Sequence, residues 1–109
     1  MLSGVVLAQK RDYDGAIVEF RKALTLNPQL GEAHFNRAGA LLHKGGIKVA
    51  IQTFPAALKL APHWPEARYQ FGRALLLANR RTEAIGEFST ALKQDPNHAG
   101  AGRALRTKN

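Results

Sequence analysis

Residues 84–96 read AIGEFSTALKQDP. The same pattern stands 34 residues earlier at 50–62, as AIQTFPAALKLAP, and again at 16–28, as AIVEFRKALTLNP. In the last copy Ala84, Ile85, Phe88, Ala91 and Leu92 follow one another at steps of one, three, three and one, and the other two copies repeat those steps. This spacing gathers five apolar side chains on one face of a helix; a strand would need alternation every second residue. Each copy closes on a proline, Pro28, Pro62 or Pro96. The residue before a proline is pushed away from helical backbone angles, so these prolines read as helix ends. Three copies in phase predict small units stacked side by side rather than one globular core.

Outward from these segments, a second helical stretch precedes each proline-ended one: Glu32 to His43, Glu66 to Ala78, and a shorter stretch from Leu2 to Lys10. The breaks fall at Arg11-Asp12, Gly45-Gly46 and Asn79-Arg80, residues suited to tight turns. Asp14 and Thr82 stand where a cap or first-turn acceptor would help start the next helix. The expected plan is a single domain over residues 1–109, with units 1–30, 31–64 and 65–98 and a capping segment 99–109. Within that segment Ala99 to Arg106 reads as the opening of a fourth first helix, with Ala101 and Leu105 able to cover the apolar face from Ala84 to Leu92. Counting back from Pro28 leaves the first unit's first helix incomplete, as in a fragment of a longer array or an array with an uncovered N-terminal end. Pro55 falls inside the second unit's terminal helix, where it removes the hydrogen bond to the Ile51 carbonyl. The expectation is a kink there, at a cost of about 3 kcal/mol.

Composition narrows the functional classes. The 109 residues are 45% hydrophobic and 22% charged, with no cysteine. No apolar run approaches the roughly 20 residues of a membrane span. Val5 to Ala8 is too short for a signal-peptide core and has no basic region before it. A cytoplasmic location is the default reading. The formal net charge is +8, divided as +1, +3, +1 and +3 over residues 1–30, 31–64, 65–98 and 99–109. Charge spread in this way fits a solvated basic surface better than a phosphate-tracking groove, so nucleic acid is disfavoured as a partner. Polyanion binding through Lys44, Lys48, Arg103 and Arg106 stays as a weaker alternative.

The chain has no cysteine nucleophile, no glycine-rich phosphate loop and no serine set among histidine and acid by a motif, so no enzymatic activity and no cofactor are expected. His34 and His43 differ by nine residues, which puts them on different helix faces. His63 and His98 read as equivalent turn residues after successive prolines, and no metal site is expected from the four histidines. Glu83 and Glu87 share a helix face at i and i+4 and read as a solvated acidic pair.

The repeated Ala-x-x-x-Phe pairs (Ala16 and Phe20, Ala50 and Phe54, Ala84 and Phe88) and the closing prolines resemble the tetratricopeptide repeat family over residues 1–98. The small residues Gly4, Ala38 and Gly72, each followed three positions later by Leu7, Leu41 or Leu75, fit the same pattern. His34 and Arg68 depart from it where the family has a bulky residue, and Arg37 takes an apolar slot that Phe71 fills one unit later. Long cationic side chains in those slots are expected to lay their stems on apolar surface and reach water with the charge.

The resemblance implies an all-α fold: antiparallel helix pairs stacked in a right-handed superhelix. It also implies a concave groove lined by the first helix of each unit, with Val5, Gln9, Phe35, Asn36, Gly39, His43, Tyr69, Gln70, Arg73 and Leu77 facing it. The expected function is a scaffold that binds a peptide segment of a partner protein, with a preference for apolar and acidic character. Phe35 and Tyr69 would offer rings unless they pack between units, Asn36 and Gln70 would hydrogen-bond a main chain, and Arg73 would meet a carboxylate. Self-assembly into a homo-oligomer through the N-terminal end is the alternative. Some family members hold a C-terminal carboxylate in a clamp of lysine, arginine and asparagine. At those points this chain has Met1, Val5, Asn36, Glu66 and Gln70, and only Asn36 matches.

Overall fold

Asn27, Ala61 and Asp95 stand immediately before the three repeated prolines and take φ of −147°, −139° and −141°, which stops three helices at equivalent points. A computed structural model describes residues 12–106. Its helices are α1 (Tyr13–Leu26), α2 (Gly31–Lys44), α3 (Ile47–Leu60), α4 (Pro65–Leu77), α5 (Arg81–Gln94) and α6 (Ala99–Arg106). Among the described residues there is no strand. The expected stretch from Leu2 to Lys10 lies outside them, as do Gly4 and Leu7.

The turns inside the second and third units share one design. Gly45 and Asn79 both adopt left-handed backbone, with φ of 98° and 64°, which glycine and asparagine tolerate better than other residues. The N–H of the next residue then folds back onto the helix, from Gly46 to the Leu41 carbonyl (2.7 Å) and from Arg80 to the Leu75 carbonyl (2.8 Å). The helix starts meet expectation only in part. Asp12, not Asp14, caps α1 by accepting the Gly15 N–H at 3.1 Å; Asp14 lies in the first turn. Thr82 lies inside α5, which has no side-chain cap.

Each helix packs on the next in sequence, and α2 also touches α4, more than any two of the second helices α1, α3 and α5 touch one another. The body measures 39 × 25 × 21 Å. Between the paired helices the repeated alanines and phenylalanines make the core: Ala16 and Phe20, Ala50 and Phe54, Ala84 and Phe88 are all buried. Small residues on the facing helix allow this approach. A Cβ at Gly72 would come within 2.6 Å of the Phe88 ring. The capping segment behaves as expected, with Ala101 fully buried and Leu105 packed on the Leu75, Ala84 and Phe88 cluster.

The departures from the family pattern are solved by polar contacts instead of snorkelling. His34 Nε2 donates to the Pro28 carbonyl (3.0 Å), and 34 residues later Arg68 donates to the Pro62 carbonyl (3.2 Å) while pairing with Glu87 (3.1 Å). Arg37 is served less well. It has no such bond, its Nε, like that of Arg68, is buried without a partner, and burial first, then the like charge of Arg21, holds its guanidinium below its ordinary pKa. Helix α3 runs unbroken through Pro55, whose ring sits on the exposed face.

Candidate functional site

Of the ten residues expected to line the groove, Val5 and Gln9 lie outside the described residues. The other eight fall on α2 and α4, the first helices of their units, in two sets related by the 34-residue interval: Phe35, Asn36, Gly39 and His43, then Tyr69, Gln70, Arg73 and Leu77. The two sets differ in how far they are occupied by their own chain.

On α4 the polar groups are tied to one another. Gln70 donates to Glu66 (2.8 Å), Arg73 donates to Gln70 (3.1 Å), and the Arg73 guanidinium lies 5.9 Å from the centre of the Tyr69 ring. His98 reaches across from the start of α6. Its Nδ1 accepts the Ala101 N–H (3.1 Å), which leaves the proton on Nε2 to be donated to Glu66 (2.8 Å). The same imidazole packs 4.9 Å from the Tyr69 ring, and a Cβ on Gly100 would meet that ring at 2.7 Å. Tyr69 therefore packs between α4, α5 and α6, the second of the two placements open to it. Leu77, 61% exposed at the end of α4, stands apart from this network.

On α2 the ring is packed in the same way, but the equivalent polar positions are not tied to one another. Gly39 replaces Arg73, and a Cβ there would meet nothing within 4 Å. Phe35 is half-buried, edge-on to Phe54 (6.3 Å) and against Trp64 (4.8 Å). Together with Asn36, Glu32, Gly31, Leu60 and Trp64 it lines a cleft of about 550 Å³. His43, at the far end of α2, is exposed and stacks on Tyr13 at 5.4 Å.

Glu32, Trp64, Glu66 and His98 were not among the expected site residues. The signal for them was the repeat interval itself, since Glu66 follows Glu32 by 34 residues and His98 follows Trp64 by 34. The same count corrects the histidines: His98 is the equivalent of Trp64, not of His63.

Elsewhere, Glu83 pairs with Arg80 and Glu87 with Arg68, so the two carboxylates do not act together. The hydrogen bond from Arg80 holds the Glu83 carboxyl below the usual carboxylate range. Lys44 is paired with Asp14 at 2.5 Å, and with Lys48 it flanks the α2–α3 turn, whereas Arg103 and Arg106 lie on α6. Among the described residues no three histidines or acids cluster as metal ligands would, and no helix is long and apolar enough to cross a membrane.

Family models match both halves of the chain, described as "TPR repeat" over residues 4–45 and "Tetratricopeptide repeat" over residues 47–108. Among solved structures, the first TPR domain of Spaghetti (RPAP3) bound to the HSP90 peptide SRMEEVD superposes with a TM-score of 0.94 at 24% identity, over 97% of this chain and 84% of that one. The Arabidopsis OM64 TPR domain gives 0.94 at 24% identity, over 97% and 88%. YrrB, described as a TPR protein with an unusual peptide-binding site, gives 0.89 at 25% identity over 94% of this chain and 53% of its own. No curated protein matches the sequence. The second family model alone spans more than half of the chain, over the stretch that holds α3 to α6: the chain belongs to the tetratricopeptide repeat family.

Proposed function

We propose that this domain is a non-enzymatic protein-interaction module that takes a segment of a partner protein along the inner face of α2. One observation carries the reading. Glu32, Asn36 and Gly39 are left without polar partners or covering side chains on α2, while their equivalents on α4, Glu66, Gln70 and Arg73, are engaged with one another. A polar side chain of the inner face with no intramolecular partner is available to a ligand's main chain, and the half-buried Phe35 and Trp64 rings supply apolar area beside it. The RPAP3 domain with its bound HSP90 peptide shows that a stack of this shape can hold a peptide. A tail of that kind is not the expected ligand here, because Glu66 puts a negative charge where the family's carboxylate clamp has lysine.

The test uses two matched glycines. Gly39 on the inner face and Gly86 on α5 both have open space at the Cβ. Peptides selected from a displayed random library on the intact domain are measured against Gly39→Leu and Gly86→Leu. Gly39→Leu is expected to weaken them at least tenfold, and Gly86→Leu to leave them unchanged. Failure to select any peptide, or equal loss in both variants, overturns the proposal.

A further inference from the structure

In the third unit both oxygens of Glu66, itself exposed, are engaged by its own chain: Oε1 takes the Nε2–H of His98 and Oε2 takes the amide of Gln70, both at 2.8 Å. One repeat earlier the same carboxylate is Glu32, and both neutralising groups have changed. Trp64 stands in place of His98, and the shorter Asn36 in place of Gln70. Glu32 is exposed and has no hydrogen-bond or ion-pair partner among the described residues. Among the described residues it is the one Asp, Glu, Lys or Arg that lines the cleft, beside His63, Phe35, Leu60 and Trp64.

We propose that this cleft receives a basic side chain, lysine or arginine, from the bound partner segment, a specificity that rests on the groove reading above. The third unit shows the chemistry in miniature. There a ring N–H donor meets the carboxylate while packing 4.9 Å from an aromatic ring, Tyr69. In the second unit Phe35 and Trp64 form the equivalent ring pair, 4.8 Å apart, and no side-chain donor among the described residues meets Glu32. A lysine or arginine can lay its aliphatic stem on Leu60 and Phe35, place its charge over the tryptophan face and reach Glu32. Asn36 offers a further acceptor. An acidic side chain would meet the charge of Glu32 instead, so the acidic preference expected from Arg73 does not extend here. The overall charge of +8 does not oppose this, because exposed charges beyond about 8 Å are largely screened at physiological salt.

The intact domain is titrated with acetylated, amidated tripeptides Ala-X-Ala in which X is lysine, arginine, norleucine or glutamate. Trp64, the only tryptophan, reports binding by its emission. Lysine and arginine are expected to bind roughly five- to tenfold tighter than norleucine, from a cation over tryptophan plus one partly exposed ion pair. Glu32→Gln should cut that advantage about threefold with norleucine binding and circular dichroism unchanged. Trp64→His, which copies the third unit and supplies the missing donor, should abolish the preference, as read by ligand-observed NMR. The proposal is overturned if norleucine or glutamate binds as tightly as lysine, if no tripeptide responds, if Glu32→Gln leaves the lysine advantage undiminished, or if the preference survives Trp64→His. Library-selected peptides that depend on Gly39 but bind without a basic side chain here would sink this inference alone. Basic tripeptides that bind while the library yields nothing would sink only the groove reading.

Discussion

Glycines 39 and 72 both lie inside first helices, and adding one methyl group to each should move stability in opposite directions. Replacing glycine by alanine within a helix gains about 1 kcal/mol, because the unfolded chain loses freedom and the helix loses none. At Gly39 nothing stands within 4 Å of the new Cβ, so Gly39→Ala keeps the whole gain. At Gly72 the Cβ would sit 2.6 Å from Cε1 and 2.9 Å from Cδ1 of Phe88, a ring only 2% exposed and therefore without room to swing away. Overpacking of this kind costs about 1–3 kcal/mol, which turns the helix gain into a net loss of about 1 kcal/mol. The two variants should differ by about 2 kcal/mol, or roughly 10 °C in melting temperature for a domain of this size. Thermal and urea unfolding followed by circular dichroism measure both. The second unit carries Ala38 at the same point, so what Gly72→Ala pays is the opening of α4 and α5 to accept a methyl group. Phe88→Leu in the Gly72→Ala background should recover part of that loss, a coupling of at least about 1 kcal/mol between touching sites. If Gly72→Ala stabilises as much as Gly39→Ala, the close approach of α4 to α5 is not what glycine serves there, and the packing argument fails.

Two further substitutions test positions where the chain departs from its own repeat. Pro55→Ala should raise stability by up to about 3 kcal/mol, since it restores the donor to the Ile51 carbonyl from an exposed site where Arg21 and Ser89 stand in the other units; an unchanged urea midpoint would mean that α3 has already absorbed the proline's cost. Arg37→Leu should stabilise by about 1 kcal/mol, because it removes a buried nitrogen that has no partner and the repulsion from Arg21 while matching Leu105 two repeats on; a lower urea midpoint at constant slope would refute this.

These predictions separate what a periodic sequence displays from what it conceals. The Ala16–Phe20, Ala50–Phe54 and Ala84–Phe88 pairs and the three prolines were legible because each acts locally: a helix face needs only its spacing, and a helix end needs only the residue before proline. The capping helix was legible for the same reason, since Ala101 and Leu105 repeat the spacing that α2 and α4 present to their neighbours. The state of the groove was not. Aligned by repeat, Phe35 and Tyr69 look alike, as do Asn36 and Gln70, and equal exposure was expected of both sets. What divides them is contact across units: His98 reaches Glu66, and Gly100 lets α6 settle onto Tyr69, whereas Trp64 in the equivalent place offers Glu32 no such partner. Periodicity assigns a residue to a face, but occupancy of that face depends on side chains one unit further along. Self-contact therefore ties up the polar side chains in the last unit before the cap, and the absence of such contact one unit earlier is what the proposed ligand site rests on.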